Sequence, residues 1–164
     1  MRRKVGGFTL VELLVAVAIV AILTAVGIPA YQDYARRTRV AEAVLVSRSV
    51  ANQVAENVLN GVVPVNRGIR LPTSKNWTIS INTSVGHVDI AFPASKYGGT
   101  AYNMAWYVRD SGGPGNTLVP ITPGVIPAGR LVFQCISGAS NTPTWWPAMP
   151  PRWVPEACRN GGYN

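Results

Sequence analysis

One acidic residue in this 164-residue chain stands in an unusual place. Glu12 is the only ionisable side chain between Phe8 and Pro29, in a stretch that is otherwise almost entirely apolar. Moving an isolated carboxylate into an apolar medium is strongly unfavourable, so such an acid needs a neutralising proton or a cationic partner. The alternative is that Glu12 lies close enough to a membrane surface for its carboxylate to reach water.

Two cysteines near the carboxyl end, Cys135 and Cys158, also carry potential covalent chemistry. An even number of cysteines is compatible with one disulfide, provided that this part of the chain meets an oxidising compartment. Closing a loop of this size stabilises a fold by about 3 to 4 kcal/mol in the chain-entropy model. We therefore expect a bond here to matter for folding.

The remaining polar residues form no recognisable catalytic or metal-binding pattern. The chain has one histidine, His87, no glycine-rich phosphate loop before a helix, and no paired carboxylates at a suggestive spacing. Beyond Pro64 the carboxylates are only Asp89, Asp110 and Glu156, whereas calcium takes about six to eight oxygen ligands. We predict no catalytic residue, no metal site and no cofactor, and we interpret His87 as a solvated or hydrogen-bonded side chain.

The element that carries Glu12 is long enough to cross a membrane. Residues 8–28 would form a helix of about 31 Å at about 1.5 Å per residue, which matches the thickness of the hydrocarbon layer. Basic residues precede it, so the positive-inside tendency predicts a cytoplasmic start and a periplasmic or exterior position for the rest. A cleavable secretory signal peptide is the alternative, but its apolar core is usually shorter.

The helix is expected to continue beyond the apolar segment as an amphipathic helix. One face carries small and apolar residues at helical spacing, namely Val40, Val44, Ser47, Ala51, Val54, Ala55 and Val58. We predict one helix from Phe8 to Asn60, with a kink at Gly27 and Pro29, because Pro29 cannot donate to the carbonyl four residues earlier. The alternative is that a second helix starts at Pro29.

The rest of the chain shows the alternation of β-strands. Residues 62–76 have no sustained period and are predicted to form a loop. Strands are predicted around 77–82, 88–92, 100–109 and 130–137, and Pro120 places the short TLVPIT segment at a sheet edge. A long helix followed by strands predicts an α+β fold, in which an antiparallel sheet of about four strands packs on the helix.

The segment between the two cysteines is rich in proline and tryptophan. The prolines argue against regular structure, so a covalent closure is the expected means of holding the segment. One interpretation is that the aromatic rings of this segment bind a carbohydrate or an external surface, through Trp145, Trp146 and Trp153. We favour a packing role against the sheet or a neighbouring subunit, because the loop has little else from which to build a core.

The charge balance is basic, with 15 Lys and Arg against 7 Asp and Glu. Cations such as Arg36, Arg48, Arg67 and Arg70 are spread along the chain rather than clustered in one run. This pattern indicates a solvated face rather than a nucleic-acid-binding surface.

Both ends of the chain resemble type IV prepilins. At the front, the resemblance rests on a basic leader ending in Gly6-Gly7, then FTLVELLVAVAIVAIL with Glu12 as the fifth residue from Phe8, then GIPAYQDYARR. At the far end, GRLVFQC and PPRWVPEACR, preceded by NWTISINTSVGHVDIAF and TLVPITP, are similar to the sheet and disulfide-closed region of major type IVa pilins. The middle of the chain matches loosely.

The resemblance implies processing and a role for the acid. A membrane peptidase would cut between Gly7 and Phe8 and methylate the new amine of Phe8. In this family the carboxylate is thought to meet the terminal amine of a neighbouring subunit, which would make Phe8 and Glu12 the residues that set the register of assembly. An intrachain contact from Phe8 to Glu12 is also geometrically allowed. The stretch around Gly27 and Pro29 would unwind during assembly.

The resemblance also implies an organisation along the chain. Residues 1–7 would be the cleaved leader, 8–29 the transmembrane and polymerisation helix, and 30–61 the amphipathic half of the helix. A loop at 62–76 would lead to a head domain at 77–164, in which Cys135 and Cys158 close a disulfide region at 135–158.

The implied function is that of a fibre subunit without enzymatic activity. It would be stored in the inner membrane with a periplasmic head, and then polymerised into an extracellular helical filament for adhesion, twitching motility and DNA uptake. Its implied partners are its own copies, a prepilin peptidase and methyltransferase, a platform protein, assembly ATPases and, before assembly, the membrane; nucleic acid is a possible partner that the residues do not indicate. Alternatives are a DNA-binding minor pilin, a membrane-anchored domain that never polymerises and a type II secretion pseudopilin, which the cysteine pair and the missing acidic loop disfavour.

Overall fold

The computed structural model describes residues 7–114, 117–137, 147 and 149–159. The leader residues 1–6 and two of the tryptophans considered above, Trp145 and Trp146, lie outside the described residues. The chain divides into two compact units, one ending at Ala35 and the other beginning at Arg36.

A single α-helix, α1, runs from Leu10 to Leu59 and contains Pro29. The prediction of one helix through Pro29 is therefore confirmed, whereas the predicted start at Phe8 is wrong. Thr9 caps the helix instead, because its Oγ1 accepts a hydrogen bond from the backbone N–H of Glu12 (3.3 Å). The kink at Gly27 and Pro29 stays a prediction.

The helix ends at a glycine that adopts a left-handed backbone conformation. Gly61 has a φ of 65°, and its N–H donates to the carbonyl of Val58 (3.0 Å). The next N–H, that of Val62, donates to the carbonyl of Asn57 (2.9 Å). These two bonds form a Schellman motif, which satisfies carbonyls that the last helical turn leaves free. The end of the helix predicted at Asn60 is confirmed to within one residue, since α1 ends at Leu59.

The head consists of an antiparallel sheet and a short second helix. The strands are β1 (Thr78–Asn82), β2 (His87–Phe92), β3 (Tyr102–Asp110), β4 (Val119–Pro120) and β5 (Leu131–Ser137), a 3₁₀ turn covers Ala94–Lys96, and α2 covers Glu156–Arg159. The predicted α+β fold with an antiparallel sheet of about four strands is confirmed, since the fifth strand, β4, has only two residues. Pro120 lies in that strand, for which β3 is the only pairing partner among the described residues.

Strand β3 is the centre of the sheet. One edge of β3 pairs with β2 from Tyr102 to Trp106, and β5 pairs with β3 from Met104 to Asp110. Because β5 already occupies one edge at Arg109 and Asp110, β4 pairs with the edge that β2 leaves open there.

The two faces of the sheet differ because successive side chains alternate. The face on which Val88, Ile90 and Trp106 lie packs against the buried stripe of α1 in one core cluster. The predicted stripe is buried in full, and Ala43 and Val50 belong to it as well. The hydroxyl of Ser47 accepts a hydrogen bond from the indole N–H of Trp106 (3.0 Å), which ties the helix to the central strand.

Cys135 and Cys158 form a disulfide with a Cα–Cα distance of 4.7 Å, and both residues are fully buried. The prediction that the segment between them has no regular structure is wrong near its end, where α2 begins at Glu156. No proline follows Pro155 in this segment, so the next residues have backbone N–H groups for a helical turn. The N–H of Cys158 donates to the carbonyl of Pro155 (2.9 Å) and closes that turn.

The predicted packing role of the tryptophans is confirmed for Trp153, which is 4% exposed. Its ring lies 6.0 Å from that of Tyr102 and 6.3 Å from that of Tyr97.

The prediction that the cations form a solvated face is wrong for two arginines. The guanidinium of Arg36 lies 5.1 Å from the ring of Trp153, and that of Arg48 lies 4.7 Å from the ring of Trp106. Stacking on aromatic faces explains why they are partly buried.

Candidate assembly surface

The first unit presents an apolar surface that nothing in the described chain covers. Residues 7–32 are all exposed, including Phe8 (83%), Leu10 (74%) and Val26 (72%). Among the described residues, α1 is the one helix long and apolar enough to cross a membrane. A contiguous apolar surface of this size marks a segment that lipid or other protein must bury.

At the start of this surface, Glu12 takes part in a reciprocal cap with Thr9. Its Oε2 accepts hydrogen bonds from the backbone N–H (3.3 Å) and the hydroxyl (3.1 Å) of Thr9, while the N–H of Glu12 donates to the Thr9 hydroxyl oxygen (3.3 Å). This is the capping box of a Thr-x-x-Glu sequence. Sequence reasoning missed this role of Glu12, although the spacing Thr9-x-x-Glu12 is its signature.

The cap decides which atoms of Glu12 stay available. Both bonds to Thr9 use Oε2, and no described residue donates to Oε1. The local contact of Glu12 is therefore with Thr9, three residues earlier, rather than with Phe8. One carboxylate oxygen is held against the helix, and the other can accept a bond from a group outside this segment.

The junction between Gly7 and Phe8 lies just before the cap, outside the helix. Both residues are exposed, and a side-chain carbon built on Gly7 would meet no atom within 4 Å. The backbone here is thus sterically open and is not held by the hydrogen bonds of α1.

Two features weaken the regular helix near its predicted kink. Pro29 has no N–H for the carbonyl of Ala25. The hydroxyl of Thr24 donates to the carbonyls of Val20 (2.9 Å) and Ala21 (3.0 Å), a pattern that often bends helices. Gly27 lies between them with open space around it.

In the head, a group of titratable side chains lies on the sheet face that points away from α1. The ring of His87, which was predicted to be solvated or hydrogen-bonded, lies 3.9 Å from that of Tyr107 and is packed against it. Burial, and then the charge of Arg109, lower the pKa of His87 from 6.5 to about 4. Burial raises the pKa of Asp89 and that of Tyr107, where the charge of Asp89 adds to the shift.

Asp110, at the end of β3, has a different environment. Its carboxylate accepts backbone hydrogen bonds from Gly112 (2.8 Å), Gly129 (2.9 Å) and Ala128 (3.1 Å). These bonds, led by that of Gly112, lower the pKa of Asp110. The carboxylate thereby holds two loops, around Gly112 and around Gly129, against the end of β3.

Within the part of the chain that the structure describes, no three His, Cys, Asp or Glu residues are grouped to hold a metal ion.

Comparison with known proteins gives a match to one family model and similarity to several curated proteins. Residues 2–28 match the family model of the prokaryotic N-terminal methylation motif. The chain is 48% identical over 71 residues to a type IV major pilin protein PilE1 of Neisseria gonorrhoeae, which is 42% of this chain and 33% of that protein. It is 52% identical over 54 residues to a fimbrial protein of Neisseria meningitidis serogroup B, which is 33% of this chain and 32% of that protein.

A third relative comes from another genus. The chain is 47% identical over 61 residues to the type IV major fimbrial protein FimA of Dichelobacter nodosus, which is 37% of this chain and 38% of that protein. The chain thus spans about a third of the length of the curated relatives it matches. No solved structure matches the chain at a significant level.

Proposed function

We propose that this chain is a structural subunit of a type IV pilus. The methylation motif, the similarity to major pilins and fimbrial proteins, and the α+β fold with its carboxyl-terminal disulfide support a type IV pilin. The observation that carries the proposal is the apolar helix segment, exposed at every residue from 7 to 32, which is joined to a disulfide-closed head. Copies of such a chain bury that segment by bundling their helices.

Before assembly, the apolar segment crosses the inner membrane, and the head lies in the periplasm, where the disulfide forms. Assembly then moves each helix from lipid into a filament core that is equally apolar, so that little hydrophobic free energy changes. A platform protein and ATPases supply the work of extraction. The assembled fibre is extracellular and serves adhesion, twitching motility and DNA uptake, and the chain itself has no catalytic role.

Processing cuts the peptide bond between Gly7 and Phe8. The exposure of both residues and their position outside the helix support this site, since a peptidase requires accessible, extended backbone. The product begins at Phe8, and methylation of its amine keeps the positive charge there. The leader, with its three basic residues, stays behind.

Glu12 then sets the register between copies. The cap with Thr9 holds the carboxylate in one orientation, and Oε1 stays available for the amine of Phe8 from a neighbouring copy. Desolvation offsets much of the attraction between two charges in an apolar place, so the pair contributes alignment more than net stability. The cap and the ion pair therefore act on different oxygens of one side chain.

Pro29, Gly27 and Thr24 supply the flexibility that assembly requires. Pro29 supplies no N–H for the carbonyl of Ala25, and the Thr24 hydroxyl donates to carbonyls of the preceding turn. This stretch of α1 is where we place the kink and the unwinding.

Mass spectrometry of fibres sheared from cells tests the proposal. The expected fibre subunit begins at Phe8, carries one methyl group on its amine and contains the Cys135–Cys158 disulfide. A fibre-free preparation, or a mature chain that keeps Met1 to Gly7, contradicts the proposal.

Two variants of Glu12 separate its charge from its cap. Glu12→Gln keeps a residue type that completes a capping box but removes the charge, whereas Glu12→Ala removes both. We expect both variants to be processed and inserted into the membrane, and neither to form fibres. Normal fibre yield from Glu12→Gln would show that the cap, not the charge, is the role of this residue.

The alternative functions are not favoured. The relatives are named as major pilins and fimbrial proteins rather than as minor pilins or pseudopilins. A DNA-binding head needs exposed cations on one face, but Arg36 and Arg48 lie over aromatic rings.

A further inference from the structure

The head and the second half of α1 together form a concave apolar surface whose walls come from three elements. We call it the α1–α2 groove. Leu45 and Arg48 of α1 form one side, Ala157 of α2 with Pro155 forms the other, and Trp106 of β3 forms the floor. The groove has a volume of about 360 Å³, and Leu45 on its rim is 73% exposed. A groove this apolar is a place where another surface gains by docking.

The same head carries an exposed, largely apolar loop at residues 122–128, which we call the 122–128 tip. Val125 and Ile126 in this loop are 57% and 66% exposed. Pro123 and Pro127 flank them, and no residue of TPGVIPA is charged. The prolines restrict the backbone, so little conformational entropy is lost when the tip binds. Because the tip has no charged side chain, its burial leaves no charge without a partner.

The tip cannot be the lid of the groove in its own chain. A side-chain carbon built on Gly124 would lie 3.1 Å from Cγ2 of Val63, which places the tip just beyond the end of α1. Leu45 and the last helical residue, Leu59, are about 21 Å apart along the helix axis at about 1.5 Å per residue. The two surfaces therefore lie at different heights on the head and can meet only between two copies.

Arg48 provides polar complementarity. Its guanidinium lies between the rings of Trp106 (4.7 Å) and Phe133 (4.5 Å), which fixes its position. It makes no hydrogen bond to any residue that the structure describes, so its N–H groups can donate to carbonyls of an incoming loop. A loop with two prolines offers such carbonyls, because prolines supply no N–H groups to pair them.

On the basis of the proposed function, we propose that the 122–128 tip of one copy docks into the α1–α2 groove of the next copy in the fibre. The contact joins two different surfaces, so it is heterologous, and a heterologous contact that does not close into a ring propagates as a helical filament. It would fix the axial offset between heads, separately from the register set by Phe8 and Glu12 in the helix bundle.

Cysteine cross-linking in intact fibres tests the docking. Cells expressing Leu45→Cys/Ile126→Cys are sheared, and the fibres are treated with a short thiol-reactive cross-linker. Because each copy contributes one tip and one groove, we expect a ladder of covalent multimers under denaturing conditions. Asn52→Cys/Ile126→Cys is the matched control, since Asn52 is exposed on α1 but lies outside the groove, and it should give no ladder.

Charge substitutions give a second measurement. Ile126→Asp should lower the yield of sheared fibres by about tenfold or more, which corresponds to about 1.4 kcal/mol per contact. Leu71→Asp is the control, since Leu71 is 40% exposed and lies outside both surfaces, and it should leave the yield unchanged. Processing and disulfide formation are checked in each variant, to confirm that the head has folded.

The outcomes separate the two proposals. Fibres that form without a ladder, or an equal loss of yield from Leu71→Asp and Ile126→Asp, overturn the docking and leave the proposed function in place. An absence of fibres from the unmodified chain refutes the proposed function and, with it, the docking.

Discussion

The contact between α1 and β3 yields the sharpest energetic prediction. The indole N–H of Trp106 donates to the hydroxyl oxygen of Ser47 at 3.0 Å, and the Ser47 hydroxyl donates to the carbonyl of Val44 at 3.0 Å. Ser47 is 0% exposed and Trp106 is 3% exposed. Ser47→Ala therefore leaves a buried indole N–H without an acceptor, and water cannot replace it without entering the core.

The expected loss in free energy of unfolding is about 1 to 3 kcal/mol, the cost of a buried donor that loses its only partner. For a chain of this size, about 1 kcal/mol corresponds to a shift of about 2 to 4 °C in Tm, so Tm should fall by about 2 to 12 °C. Trp106→Phe in the Ser47→Ala background removes the stranded donor. The two substitutions should thus be coupled by about 0.5 kcal/mol or more.

Thermal unfolding of the full chain in detergent, followed by near-ultraviolet circular dichroism, measures these effects. Ser49→Ala is the matched control, because Ser49 lies on the same helix and donates to the carbonyl of Val46 (2.8 Å) but is exposed. It should change stability by less than about 0.5 kcal/mol. If Ser47→Ala proves as mild as Ser49→Ala, the hydrogen bond between helix and sheet does not have the importance assigned to it.

Three further predictions concern the head. Replacing Cys135 and Cys158 together by alanine should lower the free energy of unfolding by about 3 kcal/mol, since the bond closes a loop with a sequence separation of 23; denaturant unfolding under non-reducing conditions measures this, and a loss below about 0.5 kcal/mol contradicts it. The folded pKa of His87, about 4, is lower than its ordinary 6.5, so the wild type should lose stability as pH falls from about 6.5 to about 4. His87→Phe keeps a ring against Tyr107 and should remove that part of the pH dependence, and an unchanged profile of Tm against pH would refute the assignment. The lowered pKa of Asp110 stabilises the fold above its ordinary pKa of 3.8 and should cease to do so as pH falls through the folded value. Asp110→Asn should therefore flatten the Tm profile below about pH 4, whereas the control Glu56→Gln, on the exposed face of α1, should not. The raised pKa of Asp89 acts in a different range, above its ordinary value of 3.8, and with the opposite sign.

Local patterns in the sequence were sufficient for much of the fold. The spacing of Val40, Val44 and Val54 identified the buried face of α1, and alternation placed β2 and β5 close to their observed bounds. These inferences succeed because the periods of helices and strands are properties of the backbone, which each segment carries by itself. The capping box of Thr9 and Glu12 was equally local and could have been predicted.

The contacts between distant segments could not be derived in this way. In the sequence, Ser47 is one of several small residues on the apolar face of α1, and nothing local indicates a hydrogen bond. Its bond to Trp106 forms because β3 lies at the centre of the sheet, opposite that turn of α1. The position of Arg48 between Trp106 and Phe133 likewise depends on the pairing of β3 with β5.

By itself, the sequence determined that an apolar helix with one acid precedes an α+β head with two cysteines. Only the tertiary structure decided that Asp110 fastens loops from two parts of the chain, and that a groove and a tip lie at different heights on the same head. The physical reason is that periodicity reports which face of an element is apolar, whereas strand order and register decide which faces meet.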